Sequence, residues 1–219
     1  MILLFYLSVI FICLFILFAV SRHDFVLLRQ SITLRQIFDN AFIVIITSFV
    51  MSRLGYIIYS AEFDLLNPLK FFYVTKYWGI LPFVGLLSML FSLYLLFRRK
   101  KNILRIFDIY FISFSPLILL DIALKNNIGI NLLLKIVSLI VLFVFYFWFV
   151  RIHNKFDTKD GFITSLIFIT YSLVSLAFSY SNMGFFTVKY AWYQILLLLT
   201  ALSFTGVLVL VQKNFFVKK

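Results

Sequence analysis

Arg53 stands near one end of Phe42–Tyr59, FIVIITSFVMSRLGYIIY, an otherwise apolar run of helix length. A guanidinium inside a hydrocarbon layer costs at least ~2.5 to 3.5 kcal/mol on insertion scales, so it faces a polar cavity, a counter-ion or a lipid headgroup. Alternatively its long stem carries it out to the interface, because the polar segment that begins at Ser60 is only two turns away. Both readings stay open. Asp121, near the end of the apolar run 106–124, is the second such charge and a candidate catalytic group: it pairs with Arg53, or it faces lipid near the interface.

The remaining reactive side chains point to packing. Ser172, Ser175 and Ser179, at spacings of three and four, share one helix face; such a stripe is expected to join helices, at about 0.6 kcal/mol per hydrogen bond, and no base stands near it in sequence. Cys13 is the only cysteine, in the middle of an apolar run, which excludes a disulfide and predicts a small buried side chain. His23 and His153 fall in separate charged loops without metal-ligand spacing, so neither a metal nor a cofactor is expected.

The elements that must position these residues follow from composition. Of 219 residues, 64% are hydrophobic and only 13% charged, a balance that predicts an all-α integral membrane protein and a single transmembrane domain over residues 1–219. The net charge of +12 suggests nucleic acid only until the cations are located. They lie in short loops between apolar runs, where positive charge sets topology, so no nucleic-acid partner is expected. Seven runs are long enough to span: 2–20, 40–59, 79–97, 106–124, 132–150, 162–180 and 190–211. The first lacks a basic n-region and a cleavage site, and is expected to be retained as a spanning helix. With the N-terminus outside, fourteen lysines and arginines fall on inner segments and five on outer ones. That asymmetry predicts a seven-helix bundle with a cytoplasmic C-terminus.

Local signals refine the picture. Thr33 can cap the second helix, and Asp39 lies near its cytoplasmic end. The outer segment 60–78 carries Asn67-Pro68 and the aromatics Phe71, Phe72, Tyr73, Tyr77 and Trp78, which suit an interfacial belt or a segment lying flat on the membrane. Gly79, Pro82 and Gly85 open the third helix, where backbone must bend or pack closely.

Met51 to Tyr59 (MSRLGYIIY), Asn67-Pro68-Leu69 and the basic turn Phe97 to Lys101 leading to Phe107-Asp108 together resemble prolipoprotein diacylglyceryl transferase, best over residues 39–108. That family, in the bacterial inner membrane, moves the diacylglyceryl group of phosphatidylglycerol onto the lipobox cysteine of preprolipoproteins. The resemblance implies lipid headgroup binding by Arg53, Gly55, Tyr56 and Tyr6, with Tyr6 also a catalytic candidate. It implies structural motif positions at Asp39, Asp108 and Gln194, and likens Lys159-Asp160-Gly161 to the start of helix six. The partners it implies are phosphatidylglycerol, or another anionic phospholipid, and preprolipoprotein.

The departures bear on activity. Phe83 stands where the family has a histidine, Ser175 and Ser179 stand where it has an arginine and a glutamate, and Asp121 to Asn127 contains no arginine. The large outer segment that follows helix four in the family is reduced here to a few residues. Attack of a thiolate on the lipid needs a base and positive charge for the departing phosphate. The expected function is therefore that of a prolipoprotein diacylglyceryl transferase-like membrane protein that binds phosphatidylglycerol and, if active, transfers its diacylglyceryl group to the lipobox cysteine, with a catalytically inactive lipid-binding or accessory paralogue as the alternative.

Overall fold

The computed structural model describes residues 2–22, 24, 27, 32–72, 81–100, 102–124, 160–183 and 191–216, and the side chains of 2–7, 118–124, 177–183, 191–193 and 210–216 fall outside that description. Among the described residues every regular element is helical. In order these are α1 (Ile2–Arg22), α2 (Leu34–Ser60), a 3-10 turn (Phe63–Leu66), α3 (Pro68–Phe72), α4 (Pro82–Phe97), α5 (Ile103–Leu124), α6 (Phe162–Met183) and α7 (Ala191–Phe216). Six of the apolar runs coincide with helices; the seventh, 132–150, lies outside the described residues. Leu34–Ser60 is long and apolar enough to cross a membrane, and Pro82–Phe97, Phe162–Leu176 and Gln194–Val209 are shorter apolar helices. The chain divides into two compact units, residues 1–103 and 104–219.

In the first unit α2 begins six residues before its apolar run, because Thr33 closes a capping box. Its hydroxyl accepts from the Gln36 N–H at 3.2 Å, and the Gln36 side chain accepts from the Thr33 N–H at 3.3 Å. The helix ends at Ala61, in the left-handed conformation at φ 57°. Small residues bring α2 and α4 close. A Cβ added at Gly85 would lie 3.2 Å from Ser52 Cβ and 3.3 Å from the Ser48 carbonyl oxygen, and one at Gly55 would lie 2.9 Å from Val84 Cγ2. Hydroxyls stitch the same crossing: Thr47 Oγ1 and Ser92 Oγ are 3.0 Å apart, and Ser88 Oγ donates to the Thr47 carbonyl. Pro82 takes the first helical position of α4, where it loses no bond, and the preceding Leu81 N–H donates to the Ser52 carbonyl.

In the second unit Phe168 on α6 stacks on Phe204 of α7 with centroids 4.3 Å apart and tilts against Phe111 of α5 at 5.1 Å. Ser172 lies 3.2 Å from Thr200 on α7, the packing role expected of its stripe. Pro116 interrupts the hydrogen-bond ladder of α5, since it has no N–H for the Ile112 carbonyl. Ser115 Oγ donates to that carbonyl at 2.7 Å, which allows the helix to continue.

Large apolar side chains lie on the outside of several of these helices. Phe15 on α1, Ile46 and Ile58 on α2, Phe91 on α4 and Leu202 on α7 are exposed, whereas Ser52, Arg53, Arg105, Asp108, Thr164 and Gln194 are buried. Gly85→Leu is expected to cost about 1–3 kcal/mol by overpacking the α2–α4 crossing. Gly206→Leu, whose Cβ would meet no heavy atom within 4 Å, should be neutral. Thermal unfolding of the detergent-solubilised protein measures both, and equal melting temperatures would contradict the tight crossing.

Candidate functional site

Arg53 lies on the buried side of α2, seven residues before its last residue, and is fully buried. The chain after α2 turns at Ala61, forms the 3-10 turn and α3, and comes back beside the helix it has just left. Leu65 and Phe71 pack on Ile57, with Phe49, Val50, Leu54 and Tyr56 around them. This return brings the Lys70 carbonyl, at the C-terminal end of α3, to 3.2 Å from an Arg53 terminal nitrogen, which donates to it. The last carbonyls of a helix have no intrahelical donor, so the guanidinium supplies one. Tyr56 and the Glu62 carboxylate are within electrostatic reach of Arg53.

The motif residues therefore divide by role. Arg53 and Tyr56 meet the returning segment, and the Tyr56 carbonyl accepts from Ser60 Oγ at 3.0 Å. Gly55 turns toward Val84 and serves the helix crossing. Tyr6 lies in α1 and Asp121 in α5, but their side chains, and with them the proposed Arg53–Asp121 pair, fall outside the described residues. Asp39 is exposed in the second turn of α2, its carboxylate 3.9 Å from Arg35. Gln194 is buried near the start of α7. Lys70 and Glu62 are the residues near Arg53 that sequence reasoning missed; Asn67-Pro68, a helix-start pair, was the signal that the loop would fold back.

Asp108, in the second unit, does the most visible work of any buried charge. Gly161, at φ +87°, precedes α6, and its carbonyl accepts the Ser165 N–H in the helix's first turn. An N-cap side chain would normally accept the next free N–H groups, but glycine has none. The Asp108 carboxylate, arriving from α5, takes that place. It accepts from the Gly161 N–H at 2.7 Å, the Thr164 N–H at 2.8 Å and the Thr164 hydroxyl at 2.7 Å. A negative charge there also complements the positive end of the helix dipole. Arg105, buried one turn earlier on α5, is in electrostatic reach of the carboxylate. The geometry makes Asp108 a cap supplied from a neighbouring helix, with both oxygens occupied.

Among the described residues no group of three His, Cys, Asp or Glu side chains could hold a metal ion. No protein-family model, curated protein or solved structure matches the chain.

Asp108→Ala would leave two buried backbone donors and a hydroxyl unpaired, at a cost of about 1–3 kcal/mol for each buried donor. Thr164→Val removes only one bond to the carboxylate and should cost about 1 kcal/mol. Melting temperatures are expected to fall in that order; a Thr164→Val protein as unstable as Asp108→Ala would contradict the capping role.

Proposed function

We propose that the chain is a multi-pass protein of the bacterial inner membrane, with seven spans, the N-terminus outside and the C-terminus cytoplasmic. We infer further that the outer end of α2 binds the headgroup of phosphatidylglycerol or a related anionic phospholipid, as the resemblance to prolipoprotein diacylglyceryl transferase implies. The observation that carries the membrane reading is the inverted distribution of side chains. α2 buries Ser52 and Arg53 while exposing Phe42, Ile46 and Ile58. A protein in water seldom exposes apolar surface along whole helices, whereas in hydrocarbon that arrangement is the favourable one. Ser203 and Thr205, on the exposed side of α7, fit the same setting, since their hydroxyls donate to the Leu199 and Leu202 carbonyls of their own helix.

Headgroup binding is supported by the type and placement of Arg53. Its planar fork holds two phosphate oxygens, which an ammonium cannot reproduce. A phosphate oxygen is a stronger acceptor than the Lys70 carbonyl, so a headgroup competes with that bond on favourable terms.

The inactive alternative is favoured by one observation. Phe83, where the family has its histidine, is fully buried on α4 and can neither take nor give a proton. Binding substrate and transition state equally gives no rate, so lipid held by Arg53 without a base remains bound and unreacted. Preprolipoprotein is then a partner only of an active form.

Purified protein is expected to bind phosphatidylglycerol in detergent micelles, and Arg53→Lys to weaken that binding at least tenfold, while the protein forms no diacylglyceryl thioether on a lipobox peptide. Unchanged binding with a lowered melting temperature would leave Arg53 as a strap for the α2–α3 segment alone. Thioether formation would overturn the inactive reading.

A further inference from the structure

Residues 62–72 differ from an ordinary outer loop in where they go and in what they show. The cluster of Ile57, Leu65 and Phe71 reaches Phe49 and Val50, which lie ten or eleven residues before the end of α2. At ~1.5 Å per residue that is about 16 Å back along the helix. The segment descends beside α2 instead of standing off into water. Several of its backbone groups are satisfied within the protein. The Leu65 N–H donates to the Glu62 carbonyl at 3.0 Å, and the Phe71 N–H to the Asn67 carbonyl at 2.8 Å. The Leu69 N–H donates to Asn67 Oδ1 at 3.2 Å, Pro68 has no N–H to satisfy, and Arg53 donates to the Lys70 carbonyl.

While Leu65 and Phe71 pack inward, the other side of the segment carries Phe63, Leu66, Leu69 and Phe72. These are exposed by 63%, 52%, 83% and 70%, so large apolar side chains lie on both sides of the segment, with Glu62, Asp64 and Asn67 also exposed. On α2, Ile58 is itself 72% exposed. We propose that residues 62–72 form a re-entrant element whose ridge of Phe63, Leu66, Leu69 and Phe72 is seated among the acyl chains of the leaflet at the C-terminal end of α2. Its occupant is phospholipid, recognised by apolar area; the carboxylates of Glu62 and Asp64 argue against an anionic surface patch as the attraction. This inference rests on the membrane reading of α2.

Single cysteines at Leu69, Ile46 and Glu62, in a Cys13→Ala background, carry a small fluorescent label in phosphatidylcholine vesicles. Brominated acyl chains and aqueous iodide serve as quenchers. The Leu69 label is expected to be quenched severalfold more by brominated lipid than by iodide, as the Ile46 label is, and the Glu62 label to show the reverse. Iodide quenching at Leu69 together with lipid quenching at Ile46 would overturn the re-entrant element and leave the membrane reading intact. Iodide quenching at both would overturn the membrane reading itself. A Leu69 label shielded from both quenchers would mean that protein, such as a second copy of the chain, covers the ridge, and would also overturn the proposal.

Discussion

A polar group removed from water must find its partner inside the protein, and the helix ends of the described structure are arranged around that requirement, although the buried Ser48 and Ser52 hydroxyls on α2 make no hydrogen bond. Asp108 has three donors from the start of α6, and Arg53 donates to the end of α3. Ser115 takes the carbonyl that Pro116 leaves without a donor. None of these bonds is remote from a helix end or a helix break, which is where a helical chain has backbone groups to spare. In the proposed membrane setting each would cost several kcal/mol if left open, so they fix which ends of which helices meet.

Two of the buried charged residues, Asp108 and Arg53, perform parallel tasks in their separate units. Asp108 brings negative charge to the N-terminal end of one helix, and Arg53 brings positive charge to the C-terminal end of another. Both follow the sign that the helix dipole favours. Arg53 differs in the helix it serves: α3 has five residues, too short to hold itself together without neighbours. Its retention beside α2 depends on the apolar cluster of Ile57, Leu65 and Phe71 and on the guanidinium. The residue proposed to bind a headgroup is thus also the one that holds the adjoining segment. The proposed lipid binding at Arg53 and the position of that segment would be linked in one side chain.

Much of the fold was legible in the sequence because the relevant signals are local. Thr33 with Gln36 marks a helix start, Pro82 marks another, and Gly85 marks a close crossing that its missing side chain permits. Long apolar runs located the helices within a few residues, apart from α2, where the polar first turns beyond the apolar run were helical too. The site was less legible because its partners are distant in sequence or belong to the backbone. Nothing in the residue types of Asp108 and Gly161, fifty-three positions apart, says that one carboxylate will cap the other's helix. Nor could a run of aromatics after Ser60 disclose that Lys70 would offer Arg53 a carbonyl oxygen. Gly55 illustrates the opposite case: a motif position read as ligand-binding faces Val84 across a helix crossing.

The central claim is that α2 crosses a membrane with its Arg53 end outside. Single cysteines at Arg35 and Glu62, exposed near opposite ends of that helix, test it in intact cells with a membrane-impermeant thiol reagent. The account predicts labelling at Glu62, and at Arg35 only after the membrane is permeabilised. Labelling of both positions in intact cells, or of Arg35 alone, would contradict it.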